Sequence, residues 1–138
     1  GDTMAIEVSV MEGRGTLMLE DVGVPVPQLP ELLDGIAAIA ARRQTTIPVV
    51  AHAGDGNTHP TIVFAPSDAA ARERAAVAFT EIMALAISLG GTITGEHGIG
   101  RLKKELLPNQ LGSRVMDLTR QVKQLFDPDN IMNPGAIL

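Results

Sequence analysis

The three histidines of this 138-residue chain all fall in two glycine-rich segments. The first reads His52-Ala53-Gly54-Asp55-Gly56-Asn57-Thr58-His59. Asp-Gly between two β-branched runs signals a hairpin, because a type I′ turn needs positive φ at both central positions. With Asp55 and Gly56 at the centre, Ala53 faces Thr58 and His52 faces His59. The two imidazoles then share one side of the sheet with Cβ atoms roughly 4.5 to 5.5 Å apart, close enough to converge on one cation. A four-residue loop closed by Ala53 and Thr58 keeps this register, and a three-residue loop breaks it. The second segment, Gly95-Glu96-His97-Gly98-Ile99-Gly100, adds a carboxylate and the third imidazole. Two histidines and a carboxylate with open positions left over form a common catalytic set for zinc, iron or manganese.

Consecutive residues of a regular strand point to opposite faces, so Glu96 and His97 reach one site only if the backbone bends. Gly95, Gly98 and Gly100 permit that bend and let a ligand come close. Glu96 is then the third metal ligand, while His97 stays available as an acid or base near neutral pH. A single histidine on a strand usually has no special duty. The weight here comes from the conjunction of all three with a hairpin and an acidic neighbour. The glycine run does not have the spacing of a dinucleotide or P-loop fingerprint, and its glutamate would repel phosphate.

The elements that must carry these residues alternate between short strands and helices. Strands are expected over residues 4–11, 16–22, 47–53, 58–64 and 92–94, with a turn at residues 12–15. The prolines at 25, 27 and 30 lead into a helix over residues 30–43, whose Leu32, Leu33, Ile36 and Ile39 have helical spacing. Ser67 or Asp68 caps an alanine-rich helix reaching Leu89, stopped by Gly90-Gly91. A last amphipathic helix over residues 109–126 carries Leu111, Val115, Leu118, Val122 and Leu125 on one face, followed by a turn-rich tail. Hairpin-linked strands with helices laid against them predict an α+β fold, a mostly antiparallel sheet covered by helices plus a C-terminal helical segment. One domain over residues 1–138 suits the length.

Composition narrows the function. The core must be aliphatic, since Phe occurs 3 times and Trp and Tyr are absent. A net charge of −5 without a basic, aromatic-interleaved stripe argues against nucleic-acid binding. No apolar run approaches the ~20 residues of a membrane span, and no secretory signal opens the chain. Without cysteine there are no disulfides, no thiolate zinc ligands and no thiol catalysis, and the cytoplasm is the expected compartment. Gly1-Asp2-Thr3 leads almost directly into the expected strand over residues 4–11, as expected of a fragment of a longer protein.

The segments His52 to Pro60, Gly90 to Gly100 (Gly-Gly-Thr-Ile-Thr-Gly-Glu-His-Gly-Ile-Gly) and Phe126 to Gly135 (Phe-Asp-Pro-Asp…Asn-Pro-Gly) together resemble the C-terminal domain of FAD-linked oxidases. That family includes the glycolate oxidase FAD-linked subunit, D-lactate dehydrogenase and D-2-hydroxyglutarate dehydrogenase. The resemblance runs from Leu19 onward and implies a ferredoxin-like half of a cap domain, with the FAD-binding domain absent from this chain. It implies that a D-2-hydroxyacid is oxidised to a 2-oxoacid as FAD is reduced, with a separate electron acceptor. It also implies a divalent metal, usually zinc, on His52, His59 and Glu96, with His97 taking the hydroxyl proton. By the same resemblance Lys103 and Thr61 face substrate, and Asn133 lies near the flavin.

Three positions depart from the family pattern. Val26 stands where many relatives have Arg, Ala136 where many have Lys, and Thr61 where the hydroxyglutarate enzymes have Asn. These differences speak against a dicarboxylate substrate and leave the metal and base positions intact. Two other readings stay open on the residues alone: a self-sufficient metallohydrolase using the same His/His/Glu set, and a non-catalytic interaction domain. Homodimerisation and a peripheral membrane association through an electron-acceptor complex are left open as well.

Overall fold

The computed structural model describes residues 16–65 and 67–138; the expected strand over residues 4–11 and the turn after it lie outside them. The chain divides into two compact units, Gly1–Gly95 and Glu96–Leu138.

The first unit is built on β4 (Asn57–Phe64), a strand buried along almost its whole length. One edge of it pairs antiparallel with β3 (Val49–His52). The other pairs antiparallel with β1 (Thr16–Leu19) and β2 (Val22–Gly23), both in one continuous register. The strand expected over residues 16–22 is therefore real but interrupted at Glu20 and Asp21, opposite Pro60 and His59. A proline inside a strand removes a ladder donor, which is why prolines are rare there. The short strand expected over residues 92–94 is reduced to a single bridge, Thr92 to Gly23.

Two helices of this unit pack on each other, and the second also packs on β4 and β2. Helix α1 (Leu29–Arg43) buries Leu29, Leu32, Ile36 and Ile39, so three of the residues expected on its apolar face are buried and Leu33 is exposed, and it ends at Gln44 in the left-handed region. Helix α2 (Ala69–Ser88) starts where Asp68 accepts a hydrogen bond from the Ala71 N–H at 2.9 Å. It buries Ala75, Ala78, Phe79, Ile82, Met83 and Ala86. With Val22 and Ile62 these side chains make an aliphatic core with one phenylalanine. The α+β class and its antiparallel sheet stand as expected.

Charge ties the two helices together. Glu81 of α2 accepts from Arg42 and from Arg43 Nε, each at 3.0 Å, and a second Arg43 nitrogen meets its other oxygen. The Arg43 hydrogen bond, with Arg42 adding to it against partial burial, lowers the Glu81 pKa to about 2. A carboxylate whose pKa is depressed by folding stabilises the fold above its unfolded pKa and loses that contribution as pH falls through the folded value. Acid titration of wild type and Glu81→Gln should therefore show a stability difference that is full near neutrality. The difference shrinks between pH ~4.3, the ordinary glutamate value, and about 2. Because the group is partly solvent-screened, the difference should be modest. Equal stabilities at neutral pH would count against the link.

The second unit carries α3 (Leu107–Phe126), which begins two residues earlier than the periodicity indicates and is broken at Gly112 (φ 73°, ψ 164°). Leu107 and Met116 are buried, whereas Val115, Leu118, Val122 and Leu125 are exposed. Buried Asp127 closes the helix by accepting the Ile131 and Met132 N–H groups at 2.8 and 3.0 Å, and pairs with Lys123. The Lys123 ammonium, with those two N–H groups, holds the Asp127 carboxyl below its usual range. The tail then returns to the glycine loop: Arg101 donates to the Pro134 carbonyl at 2.9 Å, and the Ile137 N–H to the Gly100 carbonyl at 2.7 Å.

Candidate functional site

The β3–β4 hairpin differs from the expected one by two residues. His52 lies opposite Asn57, and His59 opposite Val50. The turn is the four residues 53–56, closed by His52 and Asn57. The His52 carbonyl accepts from the N–H of both Asp55 (3.2 Å) and Gly56 (3.0 Å). Only Gly56 has positive φ, at 82°, so this is not a type I′ turn. The Asp55 side chain also accepts the Asn57 N–H at 2.9 Å, a local bond that favours the longer turn. A one-residue slip would have put the histidines on opposite faces, but a two-residue slip keeps them on the same one. They are diagonal neighbours, with ring centroids 5.3 Å apart and planes at 89°. A ring nitrogen of one lies within 4.8 Å of a ring nitrogen of the other.

His52 is exposed at the strand end, whereas His59 is 4% exposed. The Nδ1 of His59 lies 3.3 Å from the Glu20 carbonyl oxygen. A carbonyl oxygen only accepts, so as a hydrogen bond this contact is donated by an Nδ1–H. Metal-binding histidines commonly have one nitrogen tied to a carbonyl or carboxylate in this way.

Alternate residues of β4 share a face, which places Asn57, His59 and Thr61 together. Continuing the β1–β4–β2 register sets Asp21 opposite His59 on that face. Asp21, fully buried, accepts the Thr94 hydroxyl at 3.0 Å and the Gly95 N–H at 2.8 Å. A Cβ on Gly95 would lie 2.6 Å from the Asn57 amide oxygen, so the chain passes close over this face only because residue 95 is glycine. Glu96 follows one peptide later, ~3.8 Å along the chain, with His97 next, and both are exposed.

The remaining expected residues are less alike. Thr61 is 5% exposed, its N–H given to the Pro48 carbonyl at 2.8 Å. Lys103 is 4% exposed, a buried position rather than a solvated one. Asn133 is exposed with φ 50°, and its carbonyl accepts the Ala136 N–H at 3.3 Å. Asp21 is not among the residues that motif and spacing single out, although two acids inside an otherwise apolar strand, Leu19-Glu20-Asp21-Val22, are a usable signal. Replacing Asp21 with Ala strands the Gly95 N–H and the Thr94 hydroxyl. Both donors are part-buried, so losing these bonds to a carboxylate should cost about 1–3 kcal/mol. Urea unfolding would check this, and a loss below about 0.5 kcal/mol would remove Asp21 as the anchor of Gly95.

The family model for FAD linked oxidases, C-terminal domain, matches residues 2–137. The chain belongs to this family. The glycolate oxidase subunit GlcD of Bacillus subtilis (strain 168) is 43% identical over 124 residues, 90% of this chain and 26% of the relative. The probable mitochondrial D-lactate dehydrogenase of Danio rerio is 40% identical, over 86% of this chain and 24% of that protein. The D-lactate dehydrogenase of Anaerostipes hadrus is 34% identical over 99% of this chain and 30% of its own length. The chain thus spans about a quarter of the length of the curated FAD-linked oxidase relatives it matches. Among its described residues no helix is long and apolar enough to cross a membrane.

Proposed function

We propose that this chain is the metal- and substrate-binding part of a flavin-dependent dehydrogenase that oxidises a D-2-hydroxyacid of the glycolate or D-lactate type to a 2-oxoacid. The observation that carries the reading is the His52–His59 pair. Two imidazoles share one sheet face, and the buried one has its Nδ1 within 3.3 Å of a backbone carbonyl oxygen. Such a donor set fits a borderline-soft divalent cation, for which zinc is our choice, with Glu96 as third ligand.

When bound, the cation would polarise the substrate hydroxyl as a Lewis acid, and the flavin, held mainly by residues outside this chain, would accept the hydride. His97 takes the hydroxyl proton. Thr61 and Lys103 contact the substrate and its carboxylate, and Asn133 approaches the flavin. The sequences of the relatives, named for glycolate oxidase and D-lactate dehydrogenase, support the substrate class. A cytoplasmic setting suits a chain without cysteine.

Zinc titration of the metal-free chain by calorimetry should show one site per chain, with binding lost in His52→Ala plus His59→Ala. Failure to bind zinc, cobalt or manganese would remove the metal from the reading. The chain alone, mixed with D-lactate or glycolate and a dye acceptor, should not turn over. Ester hydrolysis by the zinc-loaded chain without flavin would instead favour a metallohydrolase.

A further inference from the structure

The interruption between β1 and β2 has a cause that bears on His59. Glu20 and Pro60 are a hydrogen-bonded pair of the antiparallel ladder, since the Glu20 N–H donates to the Pro60 carbonyl at 2.9 Å. Such a pair normally exchanges two bonds, the second running from the N–H of residue 60 to the carbonyl of residue 20. Proline has no N–H, so that bond is not made. A buried backbone carbonyl needs a donor, and Glu20 is 1% exposed. The nitrogen that approaches this oxygen is Nδ1 of the neighbouring residue, His59, at 3.3 Å.

We propose that Pro60 is a positioning residue for His59. By withholding the ladder N–H, it leaves the Glu20 carbonyl to the His59 Nδ1–H and so holds the ring in the tautomer with an unprotonated Nε2. In water the other tautomer, with the proton on Nε2, is the more populated one, and it presents no lone pair there. The proline thus gives up one sheet hydrogen bond and fixes which nitrogen of the adjacent imidazole is a donor. The direction of the ring follows, because the bond anchors its Nδ1 edge to the backbone of the neighbouring strand. Any other residue at position 60 supplies an N–H aimed at the same oxygen and competes with the imidazole for it. The use of this tautomer in metal binding rests on the reading above, whereas the tautomer itself is a property of the metal-free chain.

The test is long-range ¹H–¹⁵N NMR of the imidazoles in the metal-free full chain, at a pH well above the ordinary histidine value of ~6.5. Wild-type His59 should show a protonated, pyrrole-like Nδ1 and a pyridine-like Nε2. In Pro60→Ala, which gains a ladder donor, the signals should move toward the Nε2–H form, with zinc affinity falling about 10- to 100-fold, as for other groups that orient a ligand. A wild-type His59 already in the Nε2–H form overturns the proposal, whatever the variant does. So does a folded Pro60→Ala chain with unchanged tautomer. If the tautomer shifts as expected but wild type binds no cation, the positioning role stands and the metal reading fails.

Discussion

Replacing His97 with Asn should slow flavin reduction by D-lactate or glycolate about 10²- to 10⁴-fold in the flavin-loaded protein, the range over which a positioned general base acts. Bound metal should remain at one equivalent. The contrast with the neighbouring residue decides the assignment. Glu96→Gln, or His59→Ala, should lose metal and activity together, because each removes a ligand of the proposed site. In the proposed site His97→Asn removes only the group that would accept the hydroxyl proton. Glu96 and His97 are adjacent, follow directly on the tethered Gly95, and are both exposed, so one can serve the metal and the other the substrate. Rapid-mixing measurement of flavin bleaching, with metal content determined on the same samples, separates the two effects. If His97→Asn loses its metal as His59→Ala does, His97 is a ligand and the division of labour is wrong. If it bleaches flavin at the wild-type rate, His97 is not the base.

The sequence shows the hairpin but not its register, and the reason is local chemistry. Asp55-Gly56 reads as a two-residue turn, yet the Asp55 carboxylate takes the Asn57 N–H and the His52 carbonyl gathers two N–H groups. These bonds lengthen the turn to four residues. The pairing of the histidines survives because strands have period two and the register differs by an even number of residues. Helix α1 and the Asp68 cap of α2 are legible since their signals lie within one turn of the residues concerned.

What is not legible is non-local. The bond from Asp21 to Gly95 joins residues 74 positions apart, and the contact between His59 and the Glu20 carbonyl spans 39. No window of periodicity reaches across those separations. Pro60 by itself reads as a strand breaker and becomes informative only when its cross-strand partner is known. The stripe Val115, Leu118, Val122, Leu125 does lie on one helix, but it is exposed among the described residues. Periodicity identifies an apolar face without saying what, if anything, covers it. The break at Gly112 is also invisible in sequence, because an isolated glycine in a helical pattern is often tolerated without a kink.

The largest effect on stability should come from a methyl group, in Gly56→Ala. Gly56 sits at φ 82°, a conformation that costs an L-residue roughly 1–2 kcal/mol. Its position is also crowded: a Cβ there would overlap the Val24 carbonyl oxygen and lie 3.5 Å from the Val26 nitrogen. Both neighbours are backbone, so no side chain can rotate away. Relief requires moving Val24, whose N–H is bonded to the Gly56 carbonyl at 3.1 Å, or opening the turn bond from Gly56 to His52. Adding about 1–3 kcal/mol for such overpacking gives a total of about 2–5 kcal/mol, a large part of a typical domain's ~5–15 kcal/mol. Gly54→Ala is the control within the same turn. Gly54 has ordinary φ, and a Cβ added there would meet nothing within 4 Å, so its replacement should stay within about 0.5 kcal/mol. In urea unfolding the Gly56→Ala midpoint should drop steeply or the chain should fail to fold, while Gly54→Ala overlays wild type. Equal midpoints for the two variants would mean that the turn is not closed as described, and with it the shared face of His52 and His59 would be in question.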